Sequence, residues 1–504
     1  MVMSFRKILV FSFLFFVFGL IQPSVAQTMK FKIKNLPDTT VYLVKYYGAN
    51  LFYADTVQSK KGVVVFDGSK HHAGMYAVMM PDNSYFEFVY DKEAIFITIS
   101  DFSKRLETAV IKKSQNNQIF YSYLRFITAN HKKMVELNKK FQGYPKGTLQ
   151  YDSLVTQIDV IYAQNVRYQD SILAAFPNLL VTDLLKMAFD FKIPDYPRDA
   201  NGKVLDSTFK YNYYLNHYWD GVDLADPRIV YSPMYHSKLD TYFSIRGIGN
   251  NPDSIIKYSY QLLEKMNQVD QDNKVFQYTL SHLVYKYDTT RLMGMDKILW
   301  FYGVNYYCPP NDKVYWVTDA DKKKYCDYTE KVGKSLIGNR AIPIILTDTS
   351  GSWINFYDIA ANYTVLFFWS PSCGHCKTSM PKLQLLYDKK FKERGIEIYA
   401  VADATGPDYD LWKNFIRDNK LTFTNVALTR SIYDQAMIDP RPLLQYTTAA
   451  SLNYADTYDV YSTPKILVLD KERNVMYKEI SLTDLERMMD YHTGHAGDER
   501  LIFE

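Results

Sequence analysis

From Lys30 to about Val110 the chain alternates apolar and polar residues in short runs. "TVYLVKYY", "LFYADTVQ", "GVVVFDG", "GMYAVMM", "YFEFVYD" and "AIFITISD" are separated by Asp, Gly, Asn and Lys. Period-two alternation with such punctuation predicts an all-β region, an antiparallel sandwich or small barrel. After about Asn116 the apolar positions fall three and four apart, as in "NNQIFYSYLRFITANHKKMVELNKKF" and "PDSIIKYSYQLLEKMNQ". That spacing predicts a mainly α-helical region up to about residue 336. Within it, "YPRDANGKVLDSTFKYNYYLNHYWDGVDLADPRIVYSP" is less regular and rich in aromatics. It reads as a wrap around the helices or as a surface for a partner.

From about Ile337 the pattern changes again. "YTVLFFWS" is a buried-strand run, "SCGHCKTSMPKLQLLYDKKFKER" has helical spacing, and "GIEIYAVAD" is a second strand. "DLWKNFIRDNK" is helical, "YDVYSTPKILVLD" and "NVMYKEI" end as strands, and "SLTDLERMMDYH" closes as a helix with Ser481 as N-cap. The order β-α-β-α-β-β-α predicts an α/β sandwich on a central sheet. "IPIILTDTSGSWINFYDIA" looks like an extra β-hairpin ahead of it.

The first residues add a leader. Arg6 and Lys7 precede an apolar run from Ile8 to Leu20, and Ser24-Val25-Ala26 offers a small-x-small cleavage site. That is the order of a secretory signal peptide, cleaved near Ala26. The run is short of the ~20 residues a membrane span wants. The expected organisation is therefore a signal peptide over 1–26, an all-β domain over 27–114, a helical domain over 115–336 and an α/β domain over 337–504. Such a length is more than one hydrophobic core usually serves.

The formal charge of the 504-residue chain is +4. Loss of Arg6 and Lys7 brings it close to neutral, and no basic block stands out, which argues against nucleic acid as a partner. The 44 tyrosines fit interfaces or ordinary half-buried packing equally well. His71 and His72 are adjacent on a strand pattern, so their side chains face opposite ways and read as surface turn residues rather than ligands. His131, His217, His236 and His282 have no metal-ligand spacing.

The candidate chemistry lies in "FFWSPSCGHCKTSMP". Cys373 follows a strand and turn, so it should sit at the first turn of the helix that holds Cys376. There, unpaired backbone N–H groups and the helix dipole favour thiolate over thiol. Cys376 should be one turn further in and more protected. In such a pair Cys373 attacks a substrate disulfide and Cys376 then resolves the mixed disulfide. Gly374 leaves room for a partner chain. His375, and more weakly Lys377, would stabilise the Cys373 thiolate and make the pair more oxidising. A zinc clip needs about four ligands, and Cys308 and Cys326 form no second clip. A redox-active pair is therefore expected over a zinc site or an inert bridge, and no metal or other cofactor is called for.

"FFWSPSCGHCKTSMPKL" together with "VYSTPKILVLD" resembles the thioredoxin fold, most of all the exported thiol-disulfide oxidoreductases related to the cytochrome-maturation (TlpA-like) thioredoxins. The "CGHC" itself is similar to protein disulfide isomerase. The resemblance covers about residues 337–495. It implies Cys373 as nucleophile, Cys376 as resolving cysteine, Trp369 as the aromatic flanking the site, and Pro464 as a cis-proline facing the disulfide, with Thr463 displaying backbone to substrate. The front regions more loosely resemble the arrangement in such proteins of Bacteroidetes-type bacteria, which implies a periplasmic home.

Two departures stand out. Cytoplasmic thioredoxins carry a buried acid where this chain has Phe367, so the proton acceptor for Cys376 is missing; Glu393, Asp403 and Lys465 are the replacements to consider. "LTRSIYDQAMIDPRPLLQYTTAASLNYADTY" is longer than a plain thioredoxin needs. Cys308 and Cys326 flank "PPNDKVYWVTDADKKKY"; a structural disulfide is the default in an oxidising compartment, and exchange with Cys373 is the sharper alternative.

The function expected is a periplasmic protein disulfide reductase or isomerase, acting on protein thiols and disulfides and supplied by a membrane or periplasmic electron donor. The alternative is a cell-envelope binding or assembly protein in which the thioredoxin-like module is accessory.

Overall fold

A computed structural model describes residues 27–141, 143–189, 191–267, 273–290, 292–406, 409–497 and 501–503. The leader expected over 1–26 lies outside them. The chain divides into two units, one up to Tyr242 and one from Phe243.

The first unit opens with eight strands: β1 (Thr28–Ile33), β2 (Thr40–Tyr47), β3 (Asn50–Gln58), β4 (Val63–Asp67), β5 (Gly74–Met79), β6 (Tyr85–Tyr90), β7 (Ile95–Ile99) and β8 (Ala109–Lys113). They form two four-stranded sheets, β4-β1-β7-β8 and β3-β2-β5-β6. Strand alternation fixes their inner faces. Met29, Phe31 and Ile33 are buried while Lys30 and Lys32 are exposed. Phe31 of one sheet packs against Phe86 and Phe88 of the other, with ring centroids 5.4 and 5.0 Å apart.

Two expectations are corrected here. The sheets are not wholly antiparallel: β1 pairs with β7 in parallel. The chain between them crosses to the other sheet and returns, so it re-enters in the same direction, as parallel neighbours require a long connection. His71 and His72 are not surface residues either. His71 is buried, with Nε2 3.5 Å from the Asp55 carboxylate. The His72 ring is half-buried and lies 3.8 Å from that of Tyr231.

Helices follow at α1 (Gln115–Phe141), α2 (Leu149–Ala175), α3 (Leu180–Ala188), α4 (Phe209–His217) and α5 (Pro233–Tyr242). The start of α1 is tied to the sheet by a buried amide. Asn117 accepts from the Val89 N–H (2.9 Å) and donates to the Val89 carbonyl (2.7 Å), doing for β6 what a neighbouring strand would. Asn116 accepts from the Val181 N–H at 2.9 Å and so joins α1 to α3.

The second unit carries α6 (Pro252–Asn267), α7 (Lys274–Asp288), α8 (Asp296–Tyr302) and α9 (Asp319–Gly333). Cys308, just past α8, is bridged to Cys326 in α9, with Cα atoms 5.6 Å apart. Next comes a seven-stranded sheet. Its strands are β9 (Ile345–Asp348), β10 (Trp353–Asn355), β11 (Tyr363–Trp369), β12 (Ile396–Ala404), β13 (Thr424–Thr429), β14 (Lys465–Leu469) and β15 (Val475–Lys478), in the order β10-β9-β13-β12-β11-β14-β15. The hairpin β9–β10 stands at one edge. β11, β12 and β13 are parallel, β14 runs antiparallel to β11, and β15 runs antiparallel to β14.

β13 corrects the expected order, which passed over "TNVALT". This strand is only six residues long and opens with two polar residues, so its apolar run is too short to stand out. The longer helices are α10 (Gly374–Leu386), α11 (Tyr409–Asp418), α12 (Arg430–Ile438) and α13 (Leu482–His492). β11 is buried on both faces: Val365, Phe367 and Trp369 pack on one side with α10 and α13, Leu366 and Phe368 on the other. A parallel strand covered on both sides reads as an unbroken apolar run for this reason.

Candidate active site

β11 ends at Trp369, and a short turn delivers Cys373 to the N-cap of α10. The Cys373 N–H donates to the Ser370 carbonyl at 3.1 Å, which closes that turn. Its sulfur then does the work of a capping side chain: the Cys376 N–H points at Cys373 Sγ from 3.4 Å. The first-turn N–H groups of a helix have no intrahelical partner, so this position favours a negative sulfur.

The two cysteines, unbridged here, sit in different surroundings. Cys373 is partly exposed, whereas Cys376 is fully buried beside Phe367, Trp369 and Met380. Burial pushes the Cys373 thiol up, but donation from the Cys376 thiol and N–H, the Thr463 side chain and the His375 N–H outweighs it, and the net shift is downward. For Cys376 burial dominates and pushes the thiol up to about 11. The pair is thus split into one thiol that ionises readily at the surface and one that stays protonated inside.

Across from the pair lies the loop before β14. The Thr463–Pro464 peptide is cis. The Cys373 thiol donates to the Thr463 carbonyl at 3.3 Å. Thr463 therefore serves both protonation states, offering its carbonyl to the thiol and its side chain to the thiolate.

The other expected residues fall into place unevenly. Gly374 is exposed, and a Cβ there would meet open space. The contribution of His375 to Cys373 comes through its backbone N–H, and its ring is exposed. Trp369 is fully buried, with its ring 5.4 Å from Phe415, so it supports the site from within and offers no surface to a substrate.

None of the three replacements considered for the missing acid faces Cys376. Strand alternation places Lys465 on the opposite side of β14 from Ile466, which packs beside Cys376. Asp403 is exposed and alternates with Ala402 and Ala404, which share the Cys376 face. Glu393 lies near Asn362 and Tyr363, at the opposite end of β11 from the cysteines.

The sequence reading missed the cover that α11 provides. Tyr409, Trp412, Phe415 and Ile416 all pack in the Cys376 core. Their i, i+3, i+6, i+7 spacing is the signal that could have found them.

Parts of the chain are similar to known proteins. The AhpC/TSA family matches residues 337–478, and a domain of unknown function (DUF4369) matches 28–120. The thiol-disulfide oxidoreductase ResA of Bacillus thuringiensis is 30% identical over 158 residues, covering 31% of this chain and 78% of that protein. ResA of Bacillus cereus is 28% identical over the same length. Among solved structures, a domain of a possible thiol-disulfide isomerase from Cytophaga hutchinsonii is 31% identical, with a TM-score of 0.26 over 32% of this chain and 94% of that one. A thioredoxin-like protein from Bacteroides caccae is 18% identical, with a TM-score of 0.39 over 60% of this chain and 99% of that one. Through its C-terminal α/β module the chain belongs to the ResA-related, TlpA-like thiol-disulfide oxidoreductases of thioredoxin fold.

Proposed function

We propose that this enzyme is a periplasmic thiol-disulfide oxidoreductase that reduces or isomerises protein disulfides, with Cys373 as nucleophile and Cys376 as resolving cysteine. The observation that carries the reading is the division between the two sulfurs. Cys373 is accessible and held below the ordinary thiol range, while Cys376 is buried and held above it.

The steps follow from that division. The Cys373 thiolate attacks one sulfur of a substrate disulfide. The substrate S–S bond breaks, a mixed disulfide forms, and the released substrate thiolate takes up a proton. Cys376 then gives up its proton and attacks Cys373 Sγ. A second substrate thiolate leaves, and the pair is oxidised to a disulfide. The substrate gains two electrons and two protons, which a donor dithiol must restore to Cys373 and Cys376. Confinement of Cys376 next to the mixed disulfide makes resolution intramolecular.

The leader over 1–26 supports export, and the domain limits at 114 and 336 follow the changes of sequence period. The facing sheets of β1–β8 support reading the first domain as a sandwich. Gly374, His375, Thr463 and Pro464 form the surface that a substrate would meet. The test is trapping. In a Cys376→Ser protein, a disulfide-bonded polypeptide such as insulin should accumulate as a covalent adduct on Cys373 that dithiothreitol releases. Absence of the adduct overturns the assignment. If function persists without either cysteine, the reading as a binding or assembly protein replaces this one.

A further inference from the structure

The loop that faces the cysteines is held from two sides by lysines. Lys465, the first residue of β14, turns away from Cys376. Its Nζ donates to the Asp459 carbonyl at 2.7 Å and lies 3.1 Å from the Glu479 carboxylate and 3.9 Å from that of Asp459. Its side chain is nine-tenths buried. On the other side, Lys331 in the last turn of α9 reaches Asp456 at 2.8 Å, and Lys334 lies 3.6 Å from the same carboxylate. Lys331 also lies over the Tyr461 ring, 5.6 Å from its centroid. Two residues beyond Tyr461 is Thr463, whose carbonyl meets Cys373 Sγ.

An ammonium group carries three donors, which suits it to tie several points of a loop at once. A buried ammonium must also keep its partners, because an unpaired charge in that position is costly. Asp459 adds to the constraint, since its Oδ1 is buried without a hydrogen-bond partner and its other oxygen faces Lys465. Residues 456–464 are therefore fixed by electrostatic ties at both ends of the stretch that presents Thr463.

We propose that Lys465, aided by Lys331, is a positioning residue of the active site, holding the Thr463 carbonyl and side chain against the cysteine sulfurs. It acts through Thr463 and not as a base. The reach of Lys331 makes the helix before the α/β module part of the redox site. The proposal rests on Cys373 being the attacking thiol.

The test uses Lys465→Met, Lys465→Arg and Lys331→Met in the mature full-length protein. The readouts are the pH profile of Cys373 alkylation by iodoacetamide, steady-state reduction of 5,5′-dithiobis(2-nitrobenzoate), and the unfolding temperature. Lys465→Met should move the alkylation midpoint upward, because the thiolate loses its Thr463 donor. It should lower kcat/KM by about tenfold, the order expected when a reacting group is slightly misplaced. Lys465→Arg should restore much of both, and Lys331→Met should give a smaller shift in the same direction. A Lys465→Met protein that unfolds earlier yet keeps the wild-type alkylation profile overturns the proposal and leaves Lys465 a structural role. Failure of the underlying reading looks different: wild type itself would then show no turnover that depends on Cys373.

Discussion

The Cys376 N–H points at Cys373 Sγ from 3.4 Å, so one cysteine caps the helix whose first turn buries the other. This single contact ties the acidity of the outer thiol to the folding of α10. It predicts that Cys373 in a Cys376→Ser protein alkylates with a midpoint below the ordinary thiol value of about 8.5. In unfolded protein the midpoint should return to that value. Iodoacetamide labelling across pH, read by peptide mass spectrometry, checks both.

Cys376 should show the opposite behaviour. Burial raises it to about 11, so the folded state keeps a proton that the unfolded thiol loses near pH 8.5. Its contribution to stability is complete below the unfolded value and is lost as pH rises toward the folded one. Urea unfolding of the reduced protein should therefore show the advantage of wild type over Cys376→Ala shrinking between about pH 8.5 and 11, by on the order of 3 kcal/mol.

Thr463→Val removes the side-chain donor to the sulfurs while keeping the carbonyl. The reduced pair loses stabilisation of its thiolate, so the disulfide becomes less oxidising. A hydrogen bond to a charged group is worth roughly 1.5–3 kcal/mol. At ~30 mV per 1.4 kcal/mol, the potential should fall by roughly 30–60 mV. Equilibration with glutathione buffers measures it.

Away from the site, Lys390 is buried between Glu486 at 2.6 Å and Asp490 at 2.9 Å, with Arg394 also on Asp490. Removing one member leaves a buried charge poorly compensated, at a cost of roughly 3–5 kcal/mol. Glu486→Leu should lower the unfolding temperature markedly. Lys390→Met together with Glu486→Leu should recover much of the loss, and the redox potential should stay at the wild-type value in both. Thermal unfolding of the three proteins tests the coupling.

The Cys308–Cys326 bridge closes a loop with a sequence separation of 18. Chain-entropy reasoning gives it roughly 3 kcal/mol. Replacing both cysteines by serine should lower the unfolding temperature and leave disulfide reduction by Cys373 unchanged. A matching loss of activity would point to exchange between the two pairs.

Much of this was legible in the sequence because local rules and tertiary demands agree. "YTVLFFW" is apolar throughout because β11 is buried on both faces, and the turn after it leaves Cys373 at a helix start. The parallel pairing of β1 with β7 was not legible, since strand direction depends on a crossover through a second sheet and not on alternation. β13 was missed because a six-residue strand with two leading polar residues carries little periodic signal. The burial of His71 rests on Asp55 and Tyr76, neither adjacent to it in sequence. The roles weighed for Lys465 and Asp403 failed on strand alternation, which turns both away from the Cys376 side of the sheet, and Glu393 lies at the far end of β11.

The measurement that tests the account most directly is the reduction potential of the Cys373–Cys376 pair in glutathione buffers, with Cys308 and Cys326 replaced by serine. The account predicts one two-electron transition. A potential near that of thioredoxin, about −270 mV, marks a reductant fed by a dedicated donor, and one near that of protein disulfide isomerase, about −180 mV, marks an isomerase. A pair that never equilibrates with glutathione would contradict the account, because an accessible Cys373 thiolate and a resolving Cys376 must exchange.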